Sequence, residues 1–291
     1  MKIAVASCAK IQQTSPQPVW RAIQNEQPDV LLLLGDNIYL DHNHHSDPAA
    51  LQTELHELYS RQFSEPHFAA LLADLRARKS LILSIYDDHD FLGNNRYGGD
   101  HNPALRLAAR NEFISWFNPP QSGSDVYSFT QLGLVDVVVL DERFYRSSPD
   151  VSKTDRDAIL GVQQWAWFEQ SVARSQAPYL LVASSTTIHT WGDESWEDYP
   201  GAFDRLRRLI GSKRGALVVS GDVHRNAAYD DSGVVELVTS AVARNGVGFG
   251  GPRANYGILD FDAQRLRVDL RSLKAGWRFN FDILLNNWTI P

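Results

Sequence analysis

Residues 30–41, Val-Leu-Leu-Leu-Leu-Gly-Asp-Asn-Ile-Tyr-Leu-Asp, decide the fold of this chain. Five apolar residues without polar alternation describe a strand buried on both faces, as in the middle of a parallel sheet. The run ends abruptly at Gly35-Asp36, which delivers Asp36 to the C-terminal end of a central strand, the edge where open α/β sheets bind their ligands. Gly35 lets the backbone approach closely there, and Tyr39, three residues on, can aim at the same point.

The same pattern recurs on either side. Residues 2–6 form a short apolar strand ending at Ser7-Cys8, after which Pro16 and Pro18 break the chain before a helical stretch at 20–24. A third strand, 81–85, runs into Tyr86-Asp87-Asp88-His89-Asp90-Phe91-Leu92-Gly93-Asn94-Asn95, the densest polar cluster in the chain. Residues 135–140 lead to Asp141-Glu142-Arg143, 179–183 to a polar stretch ending at His189, and 216–220 to Gly221-Asp222-Val223-His224. Helical patterns at 48–78, 105–116, 159–173 and 202–210 separate these strands. From residue 234 the segments are short and alternating, with 258–261 and 266–270 reading as antiparallel strands joined by a turn. Apolar strands alternating with helices, each followed by a polar cluster, predict an α/β chain whose clusters gather at one edge of its sheets. No linker, repeat or low-complexity segment interrupts it, so one domain over residues 1–291 is expected.

With 43% hydrophobic residues the chain can bury a large core. Its formal charge of −7 argues against a surface built for nucleic acid or anionic membranes and suits an acidic, metal-rich cleft. Cys8 is the only cysteine, which excludes an intrachain disulfide. Residues 1–10 lack the apolar core of a signal peptide, and no segment approaches membrane-spanning length, so a cytoplasmic protein with no membrane partner is expected. Nothing in the sequence specifies an oligomeric state.

Asp36, Asp87, Asp88, Asn94, Asn95, Asp222, His224 and His189 supply hard oxygen and imidazole donors, which suit two or more metal ions better than one structural zinc. Cys8 and Tyr39 add polarisable anionic donors that favour a high-charge ion such as ferric iron over magnesium alone. Any one cluster could be a set of helix caps and turns, but that reading does not explain why the clusters keep following strands. Histidines at 42, 44 and 45 form a loop group that is either metal-binding or simply solvated. Other phosphate chemistries lack their parts. Cys8 is followed by no arginine until Arg21; Asp36 has no Asp-x-Asp partner; no glycine-rich loop with Lys-Ser/Thr and no Gly-x-Ser-x-Gly elbow follows a strand.

Ser7-Cys8, Gly35-Asp36-Asn37-Ile38-Tyr39, Asp87-Asp88-His89-Asp90 with Asn94-Asn95, and Gly221-Asp222-Val223-His224 resemble, in order and spacing, the alkaline phosphatase D-type (PhoD-like) metallophosphatases of the calcineurin-like superfamily. Residues 140–146, Ile159-Leu160-Gly161 with residues 164–167, and Asn255-Tyr256-Gly257 are similar to that family's less polar signatures, so the resemblance covers most of the chain. It implies a four-layer α-β-β-α sandwich of two mixed sheets with a phosphomonoesterase or phosphodiesterase site using iron and calcium; zinc, manganese and magnesium stay open. In such a site Asp36 would bridge the metals, Cys8 and Tyr39 would hold the iron, Asp88 with Asn94 or Asn95 would serve the calcium, and Asp222 and His224 would complete the set. The segment 91–95 departs from the usual Tyr-Gly-x-Asn-Asp, which leaves both asparagines as candidates.

His89 occupies the superfamily's place for a histidine near the leaving group, a general acid oriented by Asp90. Arg143 or Arg96 would hold a phosphate oxygen, the alternative for Arg143 being a salt bridge to Asp141 or Glu142; His189 is either a substrate contact or a hydrogen-bonded loop histidine. The chain opens on its first core strand, implying a short intracellular version without the N-terminal β-domain of secreted members. The expected reaction is attack of a metal-bound hydroxide on a small-molecule phosphate ester, in line with the departing alkoxide. The competing reading is a non-catalytic protein that binds metal or a phosphorylated ligand through the same cluster.

Overall fold

Side-chain parity along the strands builds the layers. In chain order the elements are β1 (Lys2–Ala6), α1 (Pro18–Glu26), β2 (Val30–Leu34), α2 (Pro48–Phe63), α3 (Pro66–Ala77), β3 (Leu81–Ile85), α4 (Asp88–Phe91), α5 (Pro103–Phe117), β4 (Ser128–Gln131), β5 (Val135–Val139), α6 (Pro149–Ser152), α7 (Gly161–Arg174), β6 (Tyr179–Ser184), α8 (Pro200–Gly211), β7 (Ala216–Ser220), β8 (Asn226–Tyr229), β9 (Val235–Thr239), β10 (Asn255–Phe261), β11 (Arg265–Ser272) and β12 (Arg278–Leu284). The computed structural model describes residues 1–41, 45–119, 125–189, 194–230, 233–243, 254–273 and 278–291.

Two six-stranded sheets form, in the orders β12-β11-β10-β1-β2-β3 and β4-β5-β6-β7-β9-β8. β1, β2 and β3 are parallel to one another, as are β5, β6, β7 and β9; the remaining strands pair antiparallel. Because successive strand residues point to opposite faces, each apolar run feeds two cores. Ile3, Val5, Leu32, Leu34, Leu181, Leu217 and Val219 meet in the core between the sheets. Their neighbours Ala4, Leu31 and Leu33 join Trp20 of α1 and Leu71 of α3, while Leu180, Val182 and Val218 join Trp165 of α7 and Leu206 of α8. Three apolar clusters between four layers make the α-β-β-α sandwich.

The single helical pattern expected at 48–78 is two helices. Pro66 has no N–H to continue the first, and the Glu65 carboxylate caps the second by accepting from the Phe68 N–H at 2.7 Å. β4, β8 and β12 carry no sustained apolar run and were not marked by the sequence pattern. β9, expected only as part of an alternating region, is buried along its whole length beside parallel β7. Among the described residues no helix is long and apolar enough to cross a membrane.

Candidate metal centre

The parallel strands of both sheets release their polar residues at one edge. Cys8 follows β1, Asp36 follows β2, Asp87 and Asp88 follow β3, Asp222 and His224 follow β7, and Ser240 follows β9. Cys8, Asp36, Asp222 and His224 all have left-handed backbones, with φ of 58°, 53°, 65° and 56°. Such conformations are costly for residues with a Cβ and are tolerated where surrounding structure imposes them, typically at functional sites. Gly35, at φ 94°, is required on a second count. A Cβ there would stand 2.5 Å from the Asp87 Cβ, so glycine lets the β2 and β3 ends lie against each other.

Among the described residues ligand atoms gather into three groups, the atoms of each lying within 4.8 Å of one another: Cys8, Asp36 and His224; Asp36, Asp88 and His89; Asp87, Asp88 and Asp222. Asp36 belongs to two of them and Asp88 to two, so the groups form one chain of donors. The Tyr39 hydroxyl donates to Asp36 Oδ2 at 2.7 Å and lies 3.4 Å from His224 Nε2, which places the phenol oxygen beside the first group. Ser240 buttresses that group, its Oγ accepting from the His224 N–H at 2.7 Å and lying 3.2 Å from Cys8 Sγ.

The electrostatics ask for cations. Burial is the main influence that pushes Asp36 and Asp222 well above the usual carboxylate range, with neighbouring negative groups adding to it. Burial likewise pushes the Cys8 thiol up to about 11 and raises Tyr39. Asp88 is the exception. Burial works to raise it, but Arg143, His89 and the Asn95 N–H outweigh that and hold it at about 2. Asp36 Oδ1 and Asp87 Oδ2 are buried with no hydrogen-bond partner, an arrangement that costs free energy unless something positive meets them. Hard carboxylates, an imidazole, a thiol and a phenol are the donor set of a multinuclear metal centre, so the residues fit the group the sequence implies.

Not every expected site residue reaches this centre by its side chain. Asn94 and Asn95 are exposed and bond each other, Nδ2 to Oδ1 at 2.9 Å; Asn95 touches the cluster through its backbone N–H, which donates to Asp88 Oδ2 at 2.6 Å. Arg143 is fully buried, and its Nε donates to Asp87 Oδ1 at 2.6 Å while Nη1 donates to Glu194 Oε2 at 2.5 Å. It therefore fixes Asp87 from behind, and its ion pairs go to Asp87 and Glu194 in place of Asp141 or Glu142. Arg96 offers its backbone carbonyl to Arg143 at 3.4 Å. His189 lies outside the three groups; its Nδ1 is 2.8 Å from Glu236 Oε2 and its ring packs on Tyr229.

Asp90 also has a different task from the one expected. Its carboxylate accepts from the Asn37, Ile38 and Asp87 backbone N–H groups and from the Tyr59 hydroxyl, fastening the two metal loops together. The carboxylate nearest the His89 ring nitrogen is Asp41, its Oδ1 lying 3.7 Å from Nδ1. Sequence reasoning assigned no role to Ser240 or Asp41, although Ser240 follows a strand as the other site residues do. Of the loop histidines, His45 pairs with Glu54 at 2.8 Å, while 42–44 lie outside the described residues.

Two facing mixed sheets that collect such donors at their shared strand ends define a metallophosphoesterase of the calcineurin type. A family model described as PhoD-like phosphatase matches residues 3–261, and the chain belongs to that family. It is a metal-dependent phosphoric ester hydrolase. Among solved structures, one described as PhoD is similar at 19% identity and a TM-score of 0.78, covering 98% of this chain and 68% of the other. A purple acid phosphatase, PPD1 from yellow lupin seeds, is similar at 14% identity and a TM-score of 0.61, covering 98% and 53%. GAP50, an anchor in the inner membrane complex of Plasmodium, is similar at 13% identity and a TM-score of 0.59, covering 97% and 89%. At these identities the likeness is one of fold. A comparison with curated protein sequences finds no match.

Proposed function

We propose that the centre holds iron at Cys8, Asp36, Tyr39 and His224 and calcium at Asp36, Asp87, Asp88 and Asp222, and that it hydrolyses small phosphate mono- or diesters. The observation that carries this reading is the chain of shared carboxylates: Asp36 joins the group that holds the thiol, with the Tyr39 phenol beside it, to Asp88 and His89, and Asp88 leads on to the all-carboxylate group of Asp87, Asp88 and Asp222. Anionic thiolate and phenolate donors suit a high-charge ion such as ferric iron, and a carboxylate set suits calcium. When bound, the ions supply an activated water and positive charge for the phosphoryl oxygens.

The chain's own residues do the rest. Tyr39 and the Cys8 thiol both reach Asp36 Oδ2, which orients that carboxylate and leaves Oδ1 buried without a hydrogen-bond partner. Arg143 holds Asp87, and the Asn95 and His89 N–H groups hold the two oxygens of Asp88. His89, beside Asp36 and Asp88 with its ring tilted against that of Tyr39, protonates the departing alkoxide, a role that contributes ~10²–10⁴-fold. The test is turnover of 4-nitrophenyl phosphate and bis(4-nitrophenyl) phosphate by the metal-loaded protein. Hydrolysis abolished by chelator and restored by metal supports the reading; tight metal or phosphate binding without turnover of either ester would refute catalysis.

A further inference from the structure

β12 is the outer strand of its sheet, and among the described residues its one strand neighbour is β11. Residues 278–284 contain neither proline nor lysine, two of the residues that commonly blunt an edge, and their two charges, Arg278 and Asp282, are of opposite sign. Three of the five large apolar side chains exposed among the described residues, Leu273, Phe279 and Leu284, lie on or beside it. We infer that β12 is a docking edge for a second copy of this chain, the two strands pairing antiparallel about a two-fold axis at Asn280.

The register follows from the backbone. The Leu285 N–H donates to the Gln264 carbonyl in the same register that pairs Leu284 with Arg265, so odd-numbered residues of β12 turn their polar groups toward β11. Arg278, Asn280 and Asp282 therefore present theirs outward. A two-fold axis on Asn280 pairs these three with residues 282, 280 and 278 of the other copy. Arg278 then meets Asp282 twice, on the same face of the sheet. Moving the axis by one residue either way sets Arg278 opposite Asn280 or Leu284 and loses both opposed-charge pairs. The matched register also sets Phe279 against Phe281 in the closer, non-hydrogen-bonded pairs, where aromatic cross-strand contacts are favourable. Self-complementarity of this kind is what an isologous dimer requires.

Within one chain, Asp269 accepts from Arg278 at 2.6 Å, and Asp282 accepts from Arg265 at 2.7 Å and Arg267 at 3.3 Å. Dimerisation extends this alternating charge network across the axis. A ladder this short makes a concentration-dependent dimer.

Sedimentation analysis of the full chain over a concentration series tests the inference. The mass is expected to rise from 32.7 kDa toward twice that value. Arg278→Asp alone and Asp282→Arg alone should each remain monomeric, while an equimolar mixture of the two recovers the dimer, because each like-charge clash becomes an attraction. Asn280→Pro, which removes the donor at the axis, should also remain monomeric with its hydrolytic activity intact. A wild-type chain that stays monomeric throughout, or a dimer that survives all three substitutions, would overturn the inference, as would a mixture that fails to recover it from folded variants.

Discussion

Cys8 is fully enclosed, its Sγ 3.2 Å from Ser240 Oγ and 3.5 Å from Asp36 Oδ2. With its pKa at about 11 the thiol stays neutral until a metal displaces the proton. If it and Tyr39 ligate ferric iron, the concentrated protein is coloured by charge transfer. Cys8→Ser should then bleach or shift the visible band, with Tyr39→Phe changing it differently. A colourless wild type whose metal content is unchanged in Cys8→Ser would remove Cys8 from the centre. His89→Ala should keep fold and metals and lower kcat most for alkyl esters, because an aryl leaving group needs little protonation. Equal losses on aryl and alkyl substrates would show that His89 is not the acid. At this scale the donors that gather are ones released within three residues of a strand end, as Cys8, Asp36, Asp88 and Asp222 are, a spacing visible in the sequence. The sequence could not tell which way a loop side chain turns, so Asn94 and Asn95 face out and Asp90 serves the backbone.

The elements that hold the centre are tied together by one carboxylate and one glycine. Asp90 caps α4 and also binds the loop after β2, while Gly35 lets that loop pass against Asp87. Gly35→Ala combines a strained φ with a backbone clash and should cost on the order of 3 kcal/mol or more, with loss of bound metal. Gly133→Ala is the control. Its φ is also positive, at 83°, but nothing lies within 4 Å of the new Cβ, so only the conformational penalty of ~1–2 kcal/mol applies. Chemical denaturation of both variants measures the difference, and equal losses would contradict the close-approach argument. The strands with near-continuous apolar runs, such as β2 and β7, were legible; β9 is buried too but is interrupted by Glu236, and β4, β8 and β12 lie at sheet edges, where the demand for apolar residues is weaker. The break before α3 was written in Pro66, but a continuous helical pattern masked it.

Over the whole molecule, stability and metal binding answer to pH in opposite directions. Glu142 is fully buried and belongs to none of the three donor groups, and burial pushes its pKa from the usual 4.5 to about 7 despite hydrogen bonds from Ser184 and the Thr186 N–H. A raised folded-state value means its contribution is complete below pH 4.5 and is lost as pH climbs through about 7. The metal-free protein should therefore weaken across that interval, by on the order of 3 kcal/mol from this group, and Glu142→Gln should flatten the profile. A variant with an unchanged pH profile would show that Glu142 is charged throughout. Metal binding runs the other way, since its ligands must lose protons. The most direct test of the account is to titrate chelated protein with metal and follow bis(4-nitrophenyl) phosphate hydrolysis against metal bound. Activity should rise from nil and saturate at about two ions per chain in wild type, while Asp36→Asn, lacking the shared charge, binds less and stays inactive. Hydrolysis that persists in metal-free protein, or an Asp36→Asn variant with full metal content and full turnover, would contradict it.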